Sequence, residues 1–200
     1  HMSKTTIPTA GLADAAVTTA KITDANITTA KIADDAVTTA KSTAGITMVD
    51  QWRLTTDFTG IANPITSNLE QNDSSGNGVP LGSSMTQSSG VFTFPSTGIY
   101  MIIANLQGRG NDGSSGVTDS EFRLTTKVTT DNSSYTEVAF NGTGMASGHY
   151  CATTSHYIFD VTDTTQCKCS FRVFVNVDAM THGDSGKNET HFTFIRLGDT

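Results

Sequence analysis

Long hydrophobic runs, charges, prolines and cysteines are all scarce in this 200-residue chain, and each scarcity closes off a class of protein. No stretch of eighteen apolar residues occurs, so nothing in the sequence reads as a membrane-crossing helix. Charged residues make up only 16%, with twelve Lys and Arg against nineteen Asp and Glu, a net charge of -7. Such a chain has no field to draw phosphate backbones or anionic lipid, so neither nucleic acid nor membrane insertion is expected among its partners. The three cysteines, Cys151, Cys167 and Cys169, form an odd set without the spacing of a zinc knuckle or a redox Cys-x-x-Cys pair. Catalytic motifs are missing as well. There is no Gly-x-Ser-x-Gly, no Gly-x-x-x-x-Gly-Lys and no His-Glu-x-x-His, and Glu70, Glu121, Glu137 and Glu189 are scattered. A glycan hydrolase would need two carboxylates facing each other across a groove, which nothing here suggests. The expectation is a protein that is not an enzyme, with no catalytic residue to name.

Aromatic residues are absent before residue 45, whereas every Phe, Tyr and Trp of the chain follows it. That shift predicts a boundary, with a start at residues 1–11, a repeated segment at 12–44 and a globular part at 45–200. His1-Met2-Ser3 reads as the remnant of an expression vector rather than a signal peptide, so the native N-terminus is expected to be missing.

What fills the first part is a ten-residue unit, three times over: Leu12 to Lys21, Ile22 to Lys31 and Ile32 to Lys41, each ending Thr-Thr-Ala-Lys. Its large apolar residues are Leu12, Val17, Ile22, Ile27, Ile32 and Val37, a strict step of five. In a helix that step turns by about 500°, so no single face collects them. In an uninterrupted strand it alternates faces, and one-sided burial requires a bend in each half-repeat, which the Asp-Ala-Asn and Asp-Asp-Ala triplets can supply. The Val/Ile-Thr-Thr-Ala-Lys segments have the β-branched content of a short strand. One copy of such a ribbon buries nothing, whereas three identical chains can direct these six side chains inward around a common axis. The alternatives at this level are a Thr- and Ala-rich linker without fixed structure and, against the spacing and the Thr pairs, a coiled coil.

The unit Ile/Leu-x-Asp-x-x-Val/Ile-Thr-Thr-Ala-Lys, over residues 12 to 41, resembles the shaft repeats of bacteriophage tail fibres and related virion spikes. The resemblance implies a homotrimer located on a virus particle, in the extracellular space, with upstream virion tail proteins as neighbours.

From residue 45 onward short alternating stretches are separated by Gly, Asn, Asp and Ser, which predicts an all-β domain of eight to ten strands and no helix longer than a turn. In "QWRLTTDF" Trp52, Leu54, Thr56 and Phe58 share a face. Phe92 and Phe94 share a face of "VFTF". After a Pro95-Ser-Thr-Gly98 turn, "IYMIIANLQG" is apolar enough to be buried on both sides. Further strands are expected at 122–128, 135–140, 156–161, 167–177 and 191–197. A count of this kind in about 150 residues suits a sandwich of two antiparallel sheets, the jelly roll in particular. The phrase "GVFTFPSTGIYMIIANL", residues 90 to 106, together with the closing "HFTFIRLG", is similar to the strand-turn-strand signature and last strand of C1q/TNF-like heads. That resemblance implies a trimeric jelly-roll head, with apolar outer-face residues such as Ile102, Phe174 or Ile195 lining the trimer interface.

Recognition in a sandwich falls to its loops. The polar stretches at 72–78, 110–119 and 181–190 suit hydrogen bonding to sugar hydroxyls. The candidates for contacting a host surface polysaccharide or outer-membrane protein are Asn111, Asp112, Asp119, His149, Tyr150, Asp184, Lys187 and Asn188. Tyr135, Tyr150 and His149 are possible stacking partners, and Arg109 and Lys187 can reach acidic groups. No cofactor is expected. The same loops have oxygens for a structural calcium, although none has an EF-hand register, and one of His149, His156, His182 or His191 from each of three chains would make an axial metal site. Cys167 and Cys169 fall on the face of Phe171, Val173, Val175 and Val177 and are expected as core thiols, with a bridge from Cys151 as the alternative. A virion receptor-binding protein is the favoured reading; a bacterial surface adhesin or structural protein is the rival, and a spike hydrolase stands behind both.

Overall fold

A computed structural model describes residues 17–18, 22, 27–33, 36–37, 45–72, 78, 80–110, 120–175 and 179–200. The chain divides into two units, His1–Thr43 and Ala44–Thr200.

In the first unit the described apolar residues Val17, Ile22, Ile27, Ile32 and Val37 are 40–58% exposed. Leu12 lies outside the described residues. Thr29–Lys31 makes one 3-10 turn, closed by the Lys31 N–H on the Thr28 carbonyl at 2.9 Å, where the β-branched content predicts a strand. The physical reason is local: a lone extended segment has no neighbouring strand to accept its N–H groups, and a tight turn provides an acceptor within the chain.

Among the described residues the second unit has twelve strands: β1 (Met48–Leu54), β2 (Thr56–Thr59), β3 (Leu69–Gln71), β4 (Thr86–Ser88), β5 (Val91–Thr93), β6 (Gly98–Gly110), β7 (Ser120–Thr129), β8 (Thr136–Met145), β9 (Tyr150–Val161), β10 (Lys168–Val175), β11 (Ala179–Asp184) and β12 (His191–Gly198). They form two antiparallel sheets. One runs β2-β11-β6-β12-β1-β3, with β9 paired to the other edge of β6. The second runs β4-β5-β10-β7-β8. Three short strands, β3, β4 and β11, go beyond those the alternation of the sequence marks out. The stretch expected as one strand over 51–58 breaks at Thr55: β1 stays with β12 and β3, whereas β2 leaves to pair with β11. Leu54 is consequently buried while Thr56 is exposed.

The core is aromatic. Phe92, Phe94, Tyr100, Phe122, Phe171, Phe192 and Phe194 are all fully buried. Phe171 from the second sheet lies flat on Phe192 from the first, with ring centroids 3.9 Å apart and planes 7° from parallel. Phe92 meets Trp52 edge-on at 5.5 Å. Each such pair adds about 0.5–1.5 kcal/mol beyond the area it buries. Cys167 and Cys169 are buried, as expected, and all three cysteines are free; the bridge from Cys151 is not made. Burial pushes the Cys169 thiol far above its ordinary range, which leaves it protonated and inert.

Two faces differ from the sequence reading. β6 is buried on one side only: its even-numbered residues from Gly98 to Gly110 point into the core and Ile99, Met101 and Ile103 are half-buried on the outside. Ile102 is 0% exposed in the core and so lines no interface. Phe174 and Ile195 lie on opposite outer faces, Phe174 under the guanidinium groups of Arg123 and Arg172 at 5.5 and 5.4 Å. On the outside of the larger sheet Val49, Ile195, Met101 and Ile158 stand directly opposite one another across β1, β12, β6 and β9, a single apolar row at the end where β1 begins.

One buried carboxylate interrupts the apolar interior. Asp50 is 1% exposed and accepts four N–H groups: from the Gln51 backbone at 2.8 Å, the Gln71 side chain at 2.9 Å, the Trp52 indole at 3.1 Å and the Met85 backbone at 2.7 Å. It ties β1 to β3 and to the segment leading into β4.

Candidate functional site

Eight residues along β6 from the apolar row, about 26 Å at the rise of a strand, the outer face of the larger sheet changes character. Here β9, β6, β11 and β2 lie side by side: Arg109 is opposite both Tyr150 and Met180, and Met180 is opposite Thr59. The β8–β9 connection folds back on the end of β6, with the Gly148 N–H on the Gly110 carbonyl at 3.0 Å and the Gly110 N–H on the His149 carbonyl at 3.1 Å. Gly148 has φ 73°, a conformation that glycine adopts without strain. Gly110 is required for a different reason, since a Cβ there would come within 2.5 Å of the Ala146 carbonyl oxygen.

This folding presents Tyr150, which is 67% exposed. Its ring stacks on the His182 imidazole, with centroids 5.3 Å apart and planes 29° from parallel, and the Arg109 guanidinium sits 5.6 Å from the ring centroid. Arg109 is itself oriented by donating Nε–H to the Gly148 carbonyl at 3.1 Å. His182 Nδ1 lies 3.3 Å from Asp57 Oδ2, and the other Asp57 oxygen accepts the Gly183 N–H at 2.8 Å. Glu189 completes a group in which one ligand-capable atom from each of Asp57, His182 and Glu189 lies within 4.8 Å of the other two. Lys187 Nζ is 2.8 Å from Glu189 and 3.6 Å from Asp184. Hydrogen bonds to Glu189 and the charges of both carboxylates raise the Lys187 pKa, whereas the Gly186 N–H holds that of Asp184 below the ordinary carboxylate range.

Of the residues that the sequence singles out, Tyr150, Asp184 and Lys187 therefore meet at one end of the sheet, with Arg109 and His182. His149 is beside them, exposed, with Nδ1 on the Ser147 carbonyl at 2.9 Å. Asn188 is half-buried and donates its amide Nδ2–H to the Gln51 side chain. Asn111, Asp112 and Asp119 lie outside the described residues. Tyr135, half-buried at the far end of β8, takes no part. Nor do His156, which is exposed in mid-β9 opposite Ile103, and His191, which meets Asn105 at 3.0 Å and whose pKa is lowered by burial. Sequence reading passed over Asp57 and Glu189. Asp57 is 126 residues from its Gly183 partner, and Glu189 carries no spacing signal.

No family model and no curated protein matches the chain. Solved structures do. Murine APRIL at pH 5.0 matches with TM-score 0.54 and 12% identity over 75% of this chain and 98% of its own. Eiger TNF from S. frugiperda matches with TM-score 0.58 and 9% identity over 76% of this chain and 94% of its own. The second unit has the TNF-like jelly-roll fold.

Proposed function

We propose that this chain is part of a homotrimeric virion tail fibre, a shaft segment followed by a jelly-roll head that attaches the particle to a bacterial surface. The observation that carries this reading is the decapeptide repeat with its apolar side chains left in solvent by a single chain: Val17, Ile22, Ile27, Ile32 and Val37 are exposed, and only association of copies removes them from water. The head supplies a second surface of the same kind in the row Val49, Ile195, Met101 and Ile158. That row joins copies at the end where β1 begins, leaving the Tyr150 end of the sheet for recognition. Tyr150, braced by His182 and Arg109, is a flat, rigid platform for a sugar ring, with Asp184, Lys187 and His149 as polar neighbours. A host polysaccharide is the receptor class that such a platform suits, and the chain binds it without cleaving it.

Light scattering on the full chain is the test of assembly, with a mass near three times 21.1 kDa expected. The purified protein is then expected to block adsorption of virus to its host, and Tyr150→Ala to lose most of that inhibition without loss of trimer. A monomer at all concentrations removes the shaft, and a trimer that never competes for a bacterial surface leaves a structural or adhesive role instead.

A further inference from the structure

The geometry points to a divalent transition-metal site of the zinc class on the head, formed by Asp57, His182 and Glu189. The inference stands apart from the virion reading, since it concerns one chain and requires no host.

The donor set is suitable: an imidazole and two carboxylates are ligands that Zn²⁺ takes at about 2.0–2.2 Å, which puts cis ligand atoms on one ion about 3.0–3.5 Å apart. His182 Nδ1 and Asp57 Oδ2 already stand at 3.3 Å. Asp57 is oriented before any ion arrives, because its other oxygen is held by the Gly183 N–H at 2.8 Å. That contact depends on the irregular β2–β11 pairing, whose register shifts between Thr181 and Asp184. It depends equally on the missing side chain of Gly183, where a Cβ would come within 2.7 Å of both Leu54 Cγ and the Thr56 nitrogen. Two of the ligands are sheltered, the side chains of His182 and Glu189 being 13% and 18% exposed, while that of Asp57 is 42% exposed and open to an arriving ion.

An ordinary contact between His182 and Asp57 is the competing account, and the zinc titration below separates the two. His182 Nε2 is buried with no hydrogen-bond partner. With Nδ1 as the ligating atom, a metal-bound ring is neutral and keeps its hydrogen on Nε2. Asn188 Oδ1, in the same turn as Glu189, is also buried without a donor. Three protein ligands leave an open position on the ion, which a water or a hydroxyl of a bound ligand can take. The ion would hold the 183–190 turn against β2 and fix the imidazole on which Tyr150 rests.

The test is titration of EDTA-stripped full-length protein with ZnCl₂, followed by calorimetry and by metal analysis after dialysis. His1 is a further imidazole outside this site, so the readout is the difference between variants. Wild type is expected to bind one Zn²⁺ per chain more than His182→Ala, and Asp57→Asn and Glu189→Gln to weaken that site at least tenfold. Asp57→Asn keeps the size of the side chain and its Gly183 contact, so a loss of binding there with an unchanged circular-dichroism spectrum is not misfolding. Lys187→Ala removes the ammonium that competes for Glu189 and is expected to tighten binding several-fold. At hundredfold excess over Kd, Zn²⁺ is expected to raise the wild-type Tm by about 5–10 °C. Equal stoichiometry and affinity in wild type and all three ligand variants, or weaker binding in Lys187→Ala, overturns the site.

Discussion

Apolar side chains recur in both units of the chain, at every fifth residue before the boundary and at every second residue in the long strands after it, and the two spacings have opposite consequences. A step of two is the period of a strand, so β6 turns one complete set of side chains into the core, and β12 turns in Phe192 and Phe194. Phe92, Phe192 and Phe194 are 0% exposed, whereas Ile27 and Val37 are 55% exposed. A step of five matches no regular element of a single chain. The comparison teaches that hydrophobic content does not by itself make a core; its period must match a lattice that the chain can build, as it does in the head and does not in the described residues of the repeat.

Breaking the head should therefore cost most. Phe171→Ala removes the ring stacked on Phe192 and is expected to destabilise the head by about 3–5 kcal/mol in chemical denaturation; a loss under about 1 kcal/mol would mean that the two sheets are not joined where the rings meet. Asp50→Ala follows at about 3 kcal/mol, because four N–H groups lose the acceptor on which they converge.

A smaller effect concerns pH. Burial lowers the His191 pKa from 6.5, so the unfolded chain takes up this proton more readily than the folded one. Its contribution is fully present above about pH 6.5 and is lost as pH falls through the lower folded value. His191→Gln is expected to flatten the stability profile in that interval, and an unchanged slope would assign it to other groups. The carboxylates of Asp131, Asp163 and Asp184, held low chiefly by hydrogen bonds from Ser134, Thr165 and Gly186, contribute at more acid pH, where their stabilisation disappears as they protonate.

Smallest of all on the head should be Ile27→Ser, which is expected to move its melting by less than about 0.5 kcal/mol while weakening self-association of the full chain. A large shift in head melting would show that the two units are not independent, and would abolish the contrast.

Much of the head was legible because its signals are local. Strands β6, β7, β9 and β12, the turn before Gly98, the paired Phe92 and Phe94 and the buried Cys167 and Cys169 all follow from alternation and turn residues. What escaped was decided by partners. In "IYMIIANL" nearly every residue is apolar, so nothing in the segment says which face meets the opposite sheet, and Ile102 was assigned to the wrong one. The strand β11 reads Ala-Met-Thr-His-Gly-Asp, with no hydrophobic alternation, and exists because β6 and β2 flank it. Asp184 and Lys187 are singled out by loop composition and Tyr150 as an aromatic able to stack on a sugar. The grouping of Asp57 with His182 depends on strand order, which no short window contains.

The position of β1 has a mechanical consequence. It is the first strand after the repeat, and it sits between neighbours: six registered pairs with β12 on one edge, and on the other three with β3 and the Val49–Leu81 bridge. A pull along the strand loads these hydrogen bonds together, in shear, instead of opening them one after another from a free edge. The four N–H groups converging on Asp50 add a fixed point near the start of the strand. A tether entering the domain at this place can transmit tension into the sandwich as a whole before any part of it peels away.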